Sequence, residues 1–144
     1  MPVNRIATIV QFSVLTVLLA IPGVTYALEE IENVTPERAT ELGMIVRAQA
    51  AGPDAVAVEL EFPTTGELKG FRGVELRIEE GKKLVFSSTL KEERSEQGHV
   101  VVRFYADRAR IPQIELKVAT RGDALTRVGH VLPLKDFVDV TRIR

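Results

Sequence analysis

The chain of 144 residues has no cysteine, no tryptophan and only two histidines, and neither sign of charge prevails, with 19 Lys and Arg against 20 Asp and Glu. Each shortage removes a class of protein. Without cysteine there is no disulfide scaffold, thiolate zinc site, thiol nucleophile or lipid-attachment cysteine. His99 and His130 alone cannot make a metal centre, and the acids are scattered rather than spaced as ligands, so neither a metal nor a cofactor is expected. A formal net charge of −1 lacks the cationic surplus that phosphate backbones select, which argues against nucleic acid as a partner. Long uncharged runs are also missing, with one exception at the start.

Residues 1–27 carry Arg5 as their only charged side chain, and the run from Ile6 to Ile21 carries no charge at all. A basic start, an apolar run, the helix-breaking Pro22-Gly23, and Thr25 and Ala27 as small residues flanking Tyr26 predict a secretory signal peptide cleaved after Ala27. The alternative is an uncleaved membrane anchor, because Ile6 to Val24 is long enough for a tilted helix of roughly 17 to 25 residues. Either way the remainder is expected outside the cytoplasm, periplasmic or secreted, with no membrane span once the signal is removed. An exported domain without disulfides is held by packing and backbone pairing alone.

From Met44 onward apolar residues recur at every second position, which is the period of a half-buried strand. Val56, Val58, Leu60 and Phe62 alternate with Glu59 and Glu61; Val74, Leu76 and Ile78 alternate with Glu75, Arg77 and Glu79. Gly81 supplies the turn to a strand carrying Leu84, Phe86 and Leu90, with Phe86 in phase with the core. Val100, Val102 and Phe104, then Ile114, Leu116 and Val118, then Val128, His130 and Leu132 repeat the pattern. The intervening loops are too short for parallel crossovers, so the pairing is expected to be antiparallel. Burying one face of each strand predicts an all-β fold, an antiparallel β-sandwich of seven to eight strands. A small closed barrel shares the same alternation. Residues 44–144 are the expected domain, and 28–43 a lead-in that is either a short helix capped by Thr35-Pro36-Glu37 or an extended segment.

Strand count and length resemble the immunoglobulin-like or fibronectin-like class in general architecture only. The core Cys, Trp and Cys of true immunoglobulin domains have no counterpart in this sequence.

No convergent catalytic set is legible. Ser87, Ser88 and Ser95 lack the setting of an activated nucleophile, and Glu59 and Glu61 read as the wet side of a sheet rather than as paired catalytic carboxylates. His130 falls on an apolar phase and reads as a satisfied core histidine, His99 as a residue at a loop mouth. Arg103, Arg108, Arg110, Arg121 and Arg127 gather in the later strands with Asp107 and Asp123 among them, either as a solvated charge mosaic or as a cationic patch.

The expectation is therefore a non-enzymatic, exported structural or protein-interaction module that meets another extracytoplasmic protein at a sheet edge. Phe137, Val138, Val140 and Ile143 lie beyond the last clear turn and are the candidate partner edge. The alternative is a small-ligand domain for a sugar or anion, with Phe71, Tyr105, Arg108 and Arg110 as its binding residues.

Overall fold

A computed structural model describes residues 28–122 and 125–144. The expected signal segment with its expected cleavage site, and Asp123, lie outside the described residues. Among the described residues nine strands form two sheets. In chain order they are β1 (Leu28–Asn33), β2 (Ile45–Ala50), β3 (Ala55–Phe62), β4 (Phe71–Glu80), β5 (Lys83–Leu90), β6 (Glu92–Arg94), β7 (Val100–Asp107), β8 (Ile114–Arg121) and β9 (Thr126–Pro133). One helix, α1 (Pro36–Leu42), joins β1 to β2. The five-stranded sheet runs β1-β9-β8-β4-β5 and the four-stranded sheet β2-β3-β7-β6, so the fold is all-β.

The alternation acts as a ruler for burial. Val56, Val58, Leu60 and Phe62 of β3 are all buried, as are Val100, Val102 and Phe104 of β7 and Ile114, Leu116 and Val118 of β8. Buried residues from both sheets belong to one hydrophobic core. The β4–β5 hairpin turns at Gly81, whose φ of 64° is the left-handed conformation that glycine adopts without steric cost. Helix α1 forms as its caps dictate. Thr35 Oγ1 accepts from the Arg38 amide at 3.2 Å, Pro36 occupies the first turn, and Gly43 ends the helix at φ 74°.

Three features depart from the pattern. β1 lies in what the sequence marks as a lead-in, and it pairs in parallel with β9, from Leu28 beside Thr126 to Asn33 beside Val131. Together with the three-residue β6 it raises the strand number to nine, above the seven to eight expected. Phe86 is not a core residue: it is 50% exposed, and Leu84 and Val85 beside it are exposed as well. β5 is the outermost strand of its sheet, and β6, the edge strand of the other sheet, is too short to cover the half of β5 that carries these residues. After β9 there is no further strand; a short turn at Leu134–Asp136 leads to a segment that folds back on the core.

Candidate functional site

Two places on this frame bring together groups able to do chemistry or recognition. The first is a groove of about 650 Å³ between the free side of β5 and the end of β7, lined by Leu76, Ile78, Val85, Phe86, Tyr105 and Ile114 among others. Its floor is apolar because Leu76, Ile78 and Ile114 are core-phase residues at the limit of the facing sheet's cover. Its rim is polar. Arg110 donates to Glu80 Oε1 and to Gln113 Oε1, each at 2.9 Å, and Asp107 stands beside them. Tyr105 is 78% exposed and forms the ridge between this groove and a smaller one over Ala57 and Gln49.

The second place is a polar cluster where the five-stranded sheet meets α1 and the turn at Gly66–Leu68. Arg38 is its hub, donating to Glu32 Oε1 at 2.5 Å, to Glu41 Oε2 at 3.2 Å, and to Glu67. Glu32 Oε2 in turn accepts from His130 Nδ1 at 2.8 Å, and His130 Nε2 lies 3.3 Å from Thr120 Oγ1. The Arg38 guanidinium, with some help from His130, holds the Glu32 carboxyl below the ordinary carboxylate range. An ionised Glu32 accepts a hydrogen bond from the proton on Nδ1, and in the tautomer that carries its proton there Nε2 accepts from the threonine hydroxyl. Hydroxyl, imidazole and carboxylate stand in the order of a nucleophilic triad. Thr120 and His130 are 1% and 2% exposed and lie at the bottom of the cleft that they line with Glu32 and Arg38. The arrangement satisfies buried polar groups and ties β1, α1, β8 and β9 together at one end of the fold.

The outer face of the four-stranded sheet carries a ladder of alternating charge. Arg47 donates to Glu61 at 2.8 Å and to Glu59 at 2.7 Å, Arg103 to Glu59 at 2.7 Å and to Glu93 at 2.6 Å. His99, at the mouth of the loop that turns at Gly98, reaches Glu61 Oε1 at 3.1 Å. Hydrogen bonds from Arg47 and His99 hold the Glu61 carboxyl below its ordinary value. Glu59 and Glu61 are thus engaged across the strands, as the wet side of a sheet.

The residues singled out in the sequence are dispersed. Phe71 packs edge-on against Phe62, ring centroids 5.2 Å apart, at the end of β4 remote from the β4–β5 turn. Tyr105 and Arg110 share the β5–β7 groove, at the opposite end of the sheet from Phe71. Arg108 is turned to the C-terminal segment, donating to the carbonyls of Val140 and Ile143, each at 3.0 Å. That segment spends its apolar side chains on its own core: Val138 is buried, and Phe137, Val140 and Ile143 pack against the cluster half-buried. Sequence reasoning did not find the Arg38 hub, because only Glu41 stands at a helical i,i+3 spacing from Arg38, while Glu32, Glu67 and His130 come from separate stretches. The exposure of β5 had one signal, the three consecutive apolar residues Leu84, Val85 and Phe86, which break strict alternation.

No family model matches the chain, and no curated protein or solved structure matches it either.

Proposed function

We propose that the two sheets form a β-sandwich, immunoglobulin-like in general architecture, and that it serves as an exported, non-enzymatic interaction module. The partner is an extended segment of another extracytoplasmic protein, laid along β5. The observation that carries this reading is the exposure of Leu84, Val85 and Phe86 on a strand whose outer edge is unpaired, beside an apolar groove with Tyr105 on its rim. An edge strand offers a row of backbone donors and acceptors, and side-chain pockets beside it select the residues of an added strand. Tyrosine and phenylalanine are enriched among interface anchors, since their large rings lose little entropy on docking. Lys83 opens the strand and Lys82 and Lys91 flank it, which limits indiscriminate pairing while leaving the centre open.

The test is site-specific photocrosslinking in the native host. A photoreactive residue at Phe86 or Tyr105 is expected to capture one recurrent extracytoplasmic protein, and the same residue at Lys135, away from the groove, is expected to capture none. Equal capture at all three positions refutes the edge reading. A small-ligand domain is the second reading, favoured by the exposed ring of Tyr105 next to Gln49 and Arg103 in the smaller groove. It predicts a thermal shift with a sugar or anion that is lost in Tyr105→Ala.

A further inference from the structure

The five arginines grouped in the sequence separate into two kinds. Arg103, Arg108 and Arg110 are engaged with carboxylates or carbonyls. Arg121 and Arg127 are not, although they stand directly opposite one another across β8 and β9. Like charges in facing positions repel, so such a pair is retained at a cost unless something anionic meets it. Two more exposed cations share this end of the five-stranded sheet. The Arg121 amide donates to the carbonyl of Gly70, which follows Lys69, and Arg72 lies at the bulge that opens β4. Among the described residues Lys69, Arg72, Arg121 and Arg127 have no ion-pair partner, whereas the neighbouring Glu29 is committed to Lys117. Glu30 lines the cleft of the Arg38 cluster.

The same end is where residues 1–27 join the fold. Leu28 opens β1, its amide donates to the carbonyl of Leu125, and it pairs beside Thr126, the neighbour of Arg127. Leu28 and Ile31 are exposed there. With the apolar run in a bilayer, the residues from 22 to 27 reach at most roughly 20 Å when fully extended. Cations held that near a bilayer come within about a Debye length of its headgroups, roughly 8 Å at physiological ionic strength, when the domain settles on it.

We propose that this pole, with Lys69, Arg72, Arg121 and Arg127 around Leu28, is a docking surface for an anionic lipid bilayer, used while the N-terminal segment holds the chain at the membrane. The proposal rests on the reading of residues 1–27 as a membrane-inserting leader. It leaves the β5–β7 groove pointing away from the lipid, since that groove lies toward the opposite end of the strands. The partner's chemistry follows from the pole itself: four exposed cations without ion-pair partners among the described residues, with aliphatic side chains between them, fit a surface that is negative at the headgroups and apolar beneath, although Glu29 and Glu30 of β1 lie close by.

Because the chain has no cysteine, one introduced thiol takes one label. The experiment uses the full, uncleaved chain with a fluorophore at Leu28→Cys, or at Lys82→Cys on the distant hairpin, mixed with vesicles of phosphatidylcholine alone or with phosphatidylglycerol added. Both contain a nitroxide-labelled lipid as quencher. Expected are flotation with both vesicle types, stronger quenching at position 28 than at 82, and a gain in that quenching with phosphatidylglycerol. High salt or the paired change Arg121→Glu and Arg127→Glu is expected to abolish the gain, and each cation removed to lower partitioning roughly five-fold. Circular dichroism checks that the paired variant stays folded, and Lys69→Gln with Arg72→Gln repeats the test on the other two cations. Flotation with equal quenching in neutral and anionic vesicles overturns the docking surface and leaves the leader standing. Absence of flotation with neutral vesicles overturns the leader; cation-dependent binding to anionic vesicles in that case still supports the pole. Binding to neither overturns both.

Discussion

Gly43 and His130 carry more of this fold than their size suggests. Gly43 ends α1 in a left-handed conformation, and a β-carbon placed there would stand 3.1 Å from the ring of Pro63. Gly43→Ala therefore meets both a backbone penalty and a tight contact with a rigid ring, and is expected to cost about 1 kcal/mol or more in denaturant unfolding. His130 fills a buried position while bonding to Glu32 and approaching Thr120. Replacement by leucine keeps the volume but strands the threonine hydroxyl in the core, so His130→Leu is expected to cost about 1–3 kcal/mol. Adding Thr120→Val should recover part of that loss. If the double variant is as unstable as the sum of its parts, the hydroxyl is satisfied elsewhere.

At the scale of elements, the charged faces give stability a pH dependence of two opposite signs. The Glu32 and Glu61 carboxyls are held down mainly by hydrogen bonds from Arg38 and Arg47 respectively. A carboxyl lowered in the fold contributes stability above its unfolded value of about 4.5, and the contribution is lost as pH falls through the folded value. Urea midpoints are thus expected to drop below about pH 4.5, and in Arg38→Ala or Arg47→Ala the midpoint at neutral pH should already be lower and the acid drop shallower. Glu115 behaves oppositely, because burial and then the nearby Glu79 charge push its carboxyl up. Its ionisation works against folding, and the penalty vanishes as pH falls below the ordinary carboxyl value. Glu115→Gln is expected to raise the melting temperature at pH 7 and to leave it unchanged near pH 4. β5 yields a different contrast: Phe86→Ser should alter stability by no more than about 0.5 kcal/mol, since the ring is already half in water. The same change should abolish crosslinking at the groove.

For the molecule as a whole, one core spans both sheets, and its cooperativity is the property to probe. Leu116 is fully buried on β8, in the centre of the five-stranded sheet. Leu116→Ala is expected to cost about 2–5 kcal/mol, the lost burial plus the cavity left behind. A single transition by both near- and far-ultraviolet circular dichroism would accompany it, and separate transitions would show that the sheets unfold independently. On the two proposals the ends of the molecule have separate roles: the end with cations lacking ion-pair partners beside β1 faces lipid, and the groove beside the unpaired edge of β5 faces the partner segment.

What the sequence determined by itself was the local period. Alternation over 56–62, 74–78, 100–104 and 114–118 fixed which side chains face inward, because side chains on a strand alternate between faces whatever the strand pairs with. The Gly81 turn was legible for the same reason, being set by the conformational preference of one residue, whereas Thr35-Pro36 left a capped helix and an extended segment both open until the structure showed the helix. Tertiary structure alone decided neighbours. β1 has three glutamates in six residues and no clean alternation, so its place beside β9 depends on that strand's free edge rather than on its own pattern. Burial of Phe86 required a facing strand, and β6 ends too soon to provide one. Which arginines are paired and which are left over is likewise a matter of distances across strands far apart in the chain, and a one-dimensional pattern holds no such distances.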